Sequence, residues 1–166
     1  MNETIIRLHN ERVKEDDLVF DLGDFIFRNS PGGKPGEGKQ EKAITFLKRL
    51  NGRRISVKGN HCGNNSMKTP IEKVYIRHGG FRICLVHNPI YADPKCELNF
   101  CGHVHTQWKI KRLNTKSLIV NVGVDCWSFR PATFEDIMKR ISAWTKSEKE
   151  VQNERTNEQN GTPQTV

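Results

Sequence analysis

Four short apolar runs in this chain each stop on a side chain that can hold a metal ion or move a proton. "LVFDLGD" ends at Asp24, "RISVKGNH" at Asn60 and His61, "RICLVH" at His87, and "LNFCGHVH" at His103 and His105. Apolar runs of this length bounded by loop residues read as buried strands. In open α/β folds, ligands sit where strands end, at the carboxyl edge of the sheet. A chain built this way is constrained to an α/β fold whose strands bring four polar ends to one edge. A glycine directly before Asp24, Asn60 and His103 allows the tight turn that aims each following side chain.

The remaining punctuation fits that frame. Residues 2–13 read as a helix with Ile5, Leu8 and the stem of Arg12 on one side. "EKAITFLKRLNG" reads as a second helix facing inward through Ala43, Ile44, Leu47 and Leu50, with Gly52 closing it. "KVYIRHGGFRICLVH" reads as a hairpin turning at Gly79-Gly80, and "WKIKRLNTKSLIVNVG" as another around Asn114-Thr115. Thr133 to Asp136 has the form of a capping box, opening a helix with Ile137, Ile141 and Trp144 at helical spacing. Beyond it, residues 146–166 are polar and carry no aromatic side chain. They bury too little apolar area to offset their ordering entropy and read as a disordered tail after a domain of residues 1–145.

The candidate site has a coherent ligand chemistry. A carboxylate, an amide oxygen and imidazoles form a hard-to-borderline set suited to Mn²⁺, Fe²⁺ or Zn²⁺. The lack of thiolates in the set points away from a structural zinc site. Histidines at i and i+2 of an extended segment face the same way, so His103 and His105 could serve neighbouring ions. The five cysteines are odd in number and form no C-x-x-C pair, which suits free thiols in a reducing, cytoplasmic compartment. No run is long and apolar enough to span a membrane. The formal charge of +8 favours anionic partners, and the tail contributes −1 of it, leaving about +9 on the rest.

Taken in order, Gly23-Asp24, Gly59-Asn60-His61, His87 in "LVHNP" and Gly102-His103-Val104-His105 resemble the motifs of calcineurin-like metallophosphoesterases. "NVGVDCWSFRP" is similar to the end of a compact bacterial and phage-type branch of that family. The resemblance covers residues 1–137. It implies a β-sandwich flanked by helices, of the four-layer type. It also implies one or two divalent ions, Mn²⁺ first, with Fe²⁺, Zn²⁺ or Ni²⁺ as alternatives. Asp24 would bridge two ions, Asn60, His87 and His103 would complete one site, and His105 would belong to the other. His61 would bind no metal and would act over the phosphate as general acid or transition-state stabiliser. The reaction implied is hydrolysis of a phosphate mono- or diester by in-line attack of metal-bound hydroxide. The substrate would be a phosphorylated small molecule, a nucleotide or a nucleic acid, with no membrane partner.

The family's first motif, Asp-x-His at the end of a first strand, has no counterpart before Asp24, since Arg7 stands two residues before His9. The expectation is therefore an N-terminally incomplete domain lacking its first strand, with roughly 30 residues missing. Three readings stay open: a fragment or misassigned start, a single-metal enzyme, or a degenerate, non-catalytic relative that binds phosphate or nucleic acid. Cys62 stands where relatives often carry an acidic residue, which bears on the orientation of His61. "GKPGEGKQ" from Gly33 imitates a P-loop, but Gln40 replaces the Mg²⁺-binding hydroxyl residue and Pro35 removes an amide. Taken one at a time, Asp24 and Asn60 are ordinary turn residues, and His9 and His78 read as structural. Only the joint order turns the six site residues toward chemistry.

Overall fold

The computed structural model of the protein describes residues 2–26, 42–62 and 68–160, with side chains described up to residue 153. The P-loop imitation at 33–40 lies outside the described residues. The chain divides into two compact units, Met1–Pro131 and Ala132–Val166.

In the first unit, helix α1 (Asn2–Arg12) precedes strand β1 (Leu18–Asp21), a short helix α2 (Ala43–Leu47) and strand β2 (Arg53–Ser56). β1 and β2 pair in parallel, Leu18 opposite Arg53 through Asp21 opposite Ser56. β3 (Lys73–His78), β4 (Phe81–Val86), β5 (Leu98–Cys101), β6 (Ile110–Asn114) and β7 (Ser117–Asn121) form a five-stranded sheet in the order β3-β4-β5-β7-β6. The central β4, β5 and β7 are mutually parallel, while β3 and β6 join as antiparallel hairpin edges. The result is a mixed α/β architecture, as the sequence implied.

Burial separates the two sheets. Ile83, Cys84, Leu85 and Val86 on β4, and Leu98 to Cys101 on β5, are all buried, as suits strands covered on both faces. Cys84, Val86, Cys101 and Ile119 pack with Cys96 on one of those faces. Asn99 is wholly buried there, and its amide donates to Ser117 Oγ and to the carbonyl of Asp93, satisfying a polar group inside the core. β1 and β2 are only half-covered, and Leu18 is 51% exposed, so the strand of "LVFDLGD" forms but is not buried as expected. All five cysteines are free thiols.

Both hairpins form as expected. His78 pairs with Phe81 across Gly79 and Gly80, both at positive φ, while Asn114 pairs with Ser117 across Thr115-Lys116. On α1 the buried face is Ile6, Leu8 and His9 rather than Ile5 and Leu8. His9 is the structural histidine foreseen, its Nε2 lying 2.9 Å from the carbonyl of Asn51. α2 closes after five residues. Only Ala43 is buried on it, and Ile44 is exposed, so it lacks the apolar stripe that would extend it.

In the second unit the capping box forms. The Asp136 N–H donates to Thr133 Oγ1 at 3.1 Å, and the Thr133 N–H reaches back to Asp136 Oδ2 at 3.4 Å. Helix α3 then runs Phe134–Asn160, well into the stretch expected as a disordered tail. The physical reason is local: residues 146–160 are rich in Glu, Lys and Gln, which lose little rotamer freedom in a helix, and no glycine or proline interrupts them before Gly161. Among the described residues no helix is long and apolar enough to cross a membrane.

Candidate metal centre

The carboxyl ends of β1, β2, β4 and β5 lead into the turns that carry Asp24, Asn60, His87 and His103. Two of those turns touch. Gly23, at φ +93°, sits so close to the β2 turn that a Cβ there would lie 2.7 Å from Gly59 Cα and 2.8 Å from His87 Nδ1. A Cβ on Gly59 would lie 2.2 Å from Asp24 Oδ1. These two glycines are required by close approach, and their absent side chains make the space for the Asp24 carboxylate. Gly102 differs: a Cβ there would meet nothing nearer than 3.8 Å. At that turn the left-handed backbone falls on His103 (φ 68°) and His105 (φ 47°) themselves, and Asp24 likewise sits at φ 53°. Non-glycine residues in this region are uncommon and gather at functional sites.

The side chains converge. His87, buried to 5% exposure, places Nδ1 2.7 Å from the Leu22 carbonyl. A carbonyl only accepts, so a neutral His87 carries its hydrogen on Nδ1 and turns the Nε2 lone pair into the site. That Nε2 lies 2.7 Å from Asn60 Oδ1, 3.2 Å from Asp24 Oδ2 and 3.2 Å from His103 Nδ1. His103 Nδ1 in turn lies 2.9 Å from Asn60 Oδ1, its ring meeting that of His87 edge-on. A carboxylate oxygen, an amide oxygen and two imidazole nitrogens thus face one another at hydrogen-bonding range. Such a set of lone pairs repels itself unless a cation or a shared proton lies among them. Asp24, His87 and His103 offer ligand atoms all within 4.8 Å of one another, a spacing that can hold a metal ion. The residues fit a divalent ion, and the backbone carbonyl behind His87 is the usual support for a metal-ligating imidazole.

His61 is half-buried next to this cluster, and its backbone N–H donates to Asp24 Oδ1 at 2.8 Å. Its main chain therefore orients the carboxylate, and Cys62 accepts a hydrogen bond from the Gly59 N–H within the same turn. His105 goes elsewhere. The segment after Gly102 is a turn followed by a 3-10 helix, His105–Gln107, not an extended strand, so the i, i+2 rule fails there. His105 Nδ1 lies 3.4 Å from Asp125 Oδ2, and the His105 carbonyl is held by the amide of wholly buried Asn121 and by Cys126 Sγ. The same Asn121 amide donates to the Trp108 carbonyl, and its Oδ1 accepts from the Gly123 N–H.

Asn121 and Asp125 stand at and just past the end of β7. The strand-end rule that identified the other residues reaches them too. Asp21 is a further polar residue, at the end of β1. Burial pushes its carboxyl up to about 6, against the opposing pull of the Arg54 guanidinium. Among the described residues Asp21 Oδ2 and Arg54 Nη2 are buried without hydrogen-bond partners.

No family profile matches the chain. An uncharacterized protein of Methanocaldococcus jannaschii is 30% identical over 148 residues, covering 85% of this chain and 75% of that one. A protein of unknown function from Aquifex aeolicus superposes with a TM-score of 0.56 over 83% of both chains, at 23% identity. A solved structure described as a novel archaeal phosphodiesterase gives a TM-score of 0.45 at 15% identity, over 75% of this chain and 76% of that one. The first places the two proteins in one family, and the second shares the fold.

Proposed function

We propose that the chain, whose ordered Gly23-Asp24, Gly59-Asn60-His61, His87 and Gly102-His103-Val104-His105 motifs resemble those of calcineurin-like metallophosphoesterases, is a divalent-metal-dependent phosphoesterase. The observation that carries the reading is the meeting of Asp24 Oδ2, Asn60 Oδ1, His87 Nε2 and His103 Nδ1 over 2.7 to 3.2 Å. Those four residues would hold the ion, with Mn²⁺ favoured and Fe²⁺, Zn²⁺ or Ni²⁺ compatible with the same donors. A bound divalent ion supplies a Lewis acid that lowers the pKa of water and neutralises phosphate charge.

The chain's own residues do the rest. Leu22 fixes the His87 tautomer, and the His61 N–H fixes the Asp24 carboxylate. The His61 imidazole is assigned to the phosphate, as general acid or as stabiliser of transition-state charge. His105, on the turn shared with His103, is assigned to a second ion. Free cysteines and a basic surface support a reducing, cytoplasmic setting and an anionic phosphate ester as substrate.

The test is turnover of an aryl phosphodiester by the purified chain with added Mn²⁺. Asn60→Ala and His87→Ala are each expected to lower it by about a hundredfold or more. Turnover that survives both substitutions overturns the assignment. Phosphate binding without turnover under any of the four metals would support the non-catalytic reading instead.

A further inference from the structure

Between Glu97 and Asp125 the chain has no acidic residue but carries Lys109, Lys111, Arg112 and Lys116. This stretch leaves the His103–His105 turn and forms the exposed edge of the large sheet. Ile110 pairs with Val120, next to Asn121, whose amide clasps the His105 and Trp108 carbonyls. β6 therefore starts beside the candidate metal centre and runs away from it. Past buried Ile110 every residue of the strand is exposed.

Two of the lysines are held in place by tryptophan. Lys109 Nζ lies 4.5 Å from the centre of the Trp127 ring, and Lys111 Nζ lies 4.9 Å from that of Trp108. Each ring is itself anchored. The Trp127 indole N–H donates to the Asn121 carbonyl at 2.9 Å, and Trp108 packs against the core cluster around Cys84 and Cys101. Lys109 directly precedes β6 and Lys111 lies on it, so two residues of near-extended chain separate the lysines by roughly 7 Å. Cation–π contact limits the rotamer freedom that a surface lysine otherwise loses on meeting a phosphate.

The opposite edge offers a contrast. Arg77, Arg82 and Lys95 line a cavity there of about 380 Å³, but Asp93 and Glu97 are interleaved with them. Arg82 is already bound to the Lys95 carbonyl and faces Glu97. Charge at that edge is largely matched by neighbouring carboxylates, whereas the chain from Glu97 to Asp125, which includes β6, holds no acidic residue between those two.

We propose that Lys109 and Lys111 form a phosphate track, and that the substrate is a nucleic-acid strand laid along β6 with one phosphodiester at the metal centre. The inference rests on the phosphoesterase reading and gives it a substrate class. A basic strip of about 17 Å, the length of β6, suits several consecutive phosphates rather than one small ester. Cations alternating with anchored aromatic rings are the recurring surface for single-stranded nucleic acid.

The experiment measures fluorescence anisotropy of a labelled single-stranded oligonucleotide on the full chain, with chelator present so that nothing is cleaved. Lys109→Gln with Lys111→Gln should weaken binding about tenfold and flatten the log-log salt slope by about 1.4, roughly 0.7 for each phosphate no longer neutralised. Lys109→Arg with Lys111→Arg should restore it. Arg77→Gln with Lys95→Gln removes the same net charge from the other edge and should change affinity less than about threefold. An equal drop in both glutamine pairs, or none in the Lys109/Lys111 pair, overturns the track. Aryl phosphodiester turnover without oligonucleotide binding sinks this inference alone. Oligonucleotide binding without turnover sinks the phosphoesterase reading and leaves the track standing as a binding site.

Discussion

The two sheets contribute to one site by different means. The large sheet supplies His87 and His103 from strands that are buried on both faces, so their positions follow from core packing. The small sheet supplies Asp24 and Asn60 from half-exposed strands, and there the placement depends on two backbone turns in van der Waals contact through Gly23 and Gly59. Half of the candidate ligand set is positioned by what its strands bury and half by what two glycines leave out. Damage to the first half should appear chiefly as lost stability, and damage to the second chiefly as lost metal affinity.

Four substitutions separate these cases. Leu85→Ala, at the penultimate residue of β4, should cost about 4 kcal/mol in chemical denaturation, the usual toll of a buried leucine truncated in a packed core. Metal affinity of the folded fraction should stay near wild type, and a matched collapse of affinity would break the distinction. Gly59→Ala should do the reverse. A methyl 2.2 Å from Asp24 Oδ1 must expel that carboxylate, so Mn²⁺ affinity by calorimetry should fall by more than about a hundredfold, about 3 kcal/mol.

Asp21→Asn probes the pH response of the small sheet. The Asp21 carboxyl titrates near 6 in the folded chain and near 4 when unfolded, so between those values the native state binds the extra proton. Stability contributed by this group is therefore present at low pH and falls as pH rises from about 4 through 6, by roughly 2–3 kcal/mol. Asparagine should flatten that part of the metal-free stability profile, and an unchanged slope would clear Asp21 of the effect. Gly102→Ala is the smallest change. With nothing nearer than 3.8 Å to its Cβ, it should move thermal stability by less than about 0.5 kcal/mol and leave metal affinity alone. A large effect there would mean that His103 too depends on backbone clearance.

How far the sequence foretold this depends on the residue. Strand ends at Asp24, Asn60, His87 and His103 were legible because an apolar run followed by a turn residue is a local signal. Both hairpins and the Thr133 cap were legible for the same reason. The length of α3 was not legible from hydrophobicity, because residues 146–160 hold their helix through propensity rather than an apolar face. The geometry of "GHVH" was not legible: alternation on a strand predicts a shared direction for His103 and His105, but two left-handed residues turn them apart, and φ is not written in residue type. The roles of Gly59 and Gly102 looked identical in sequence. Only the approach of a distant turn distinguishes them.

The parallel run of β4, β5 and β7 gathers the candidate ligand turns of the large sheet at one edge, which leaves the Gly79-Gly80 hairpin tip at the other. A Cβ built on Gly80 meets nothing within 4 Å. That tip is a handle: a fluorophore, an affinity peptide or a surface tether could be grafted there and report on the centre without sharing its space. A tether there would sit at the edge of the large sheet opposite the candidate metal centre.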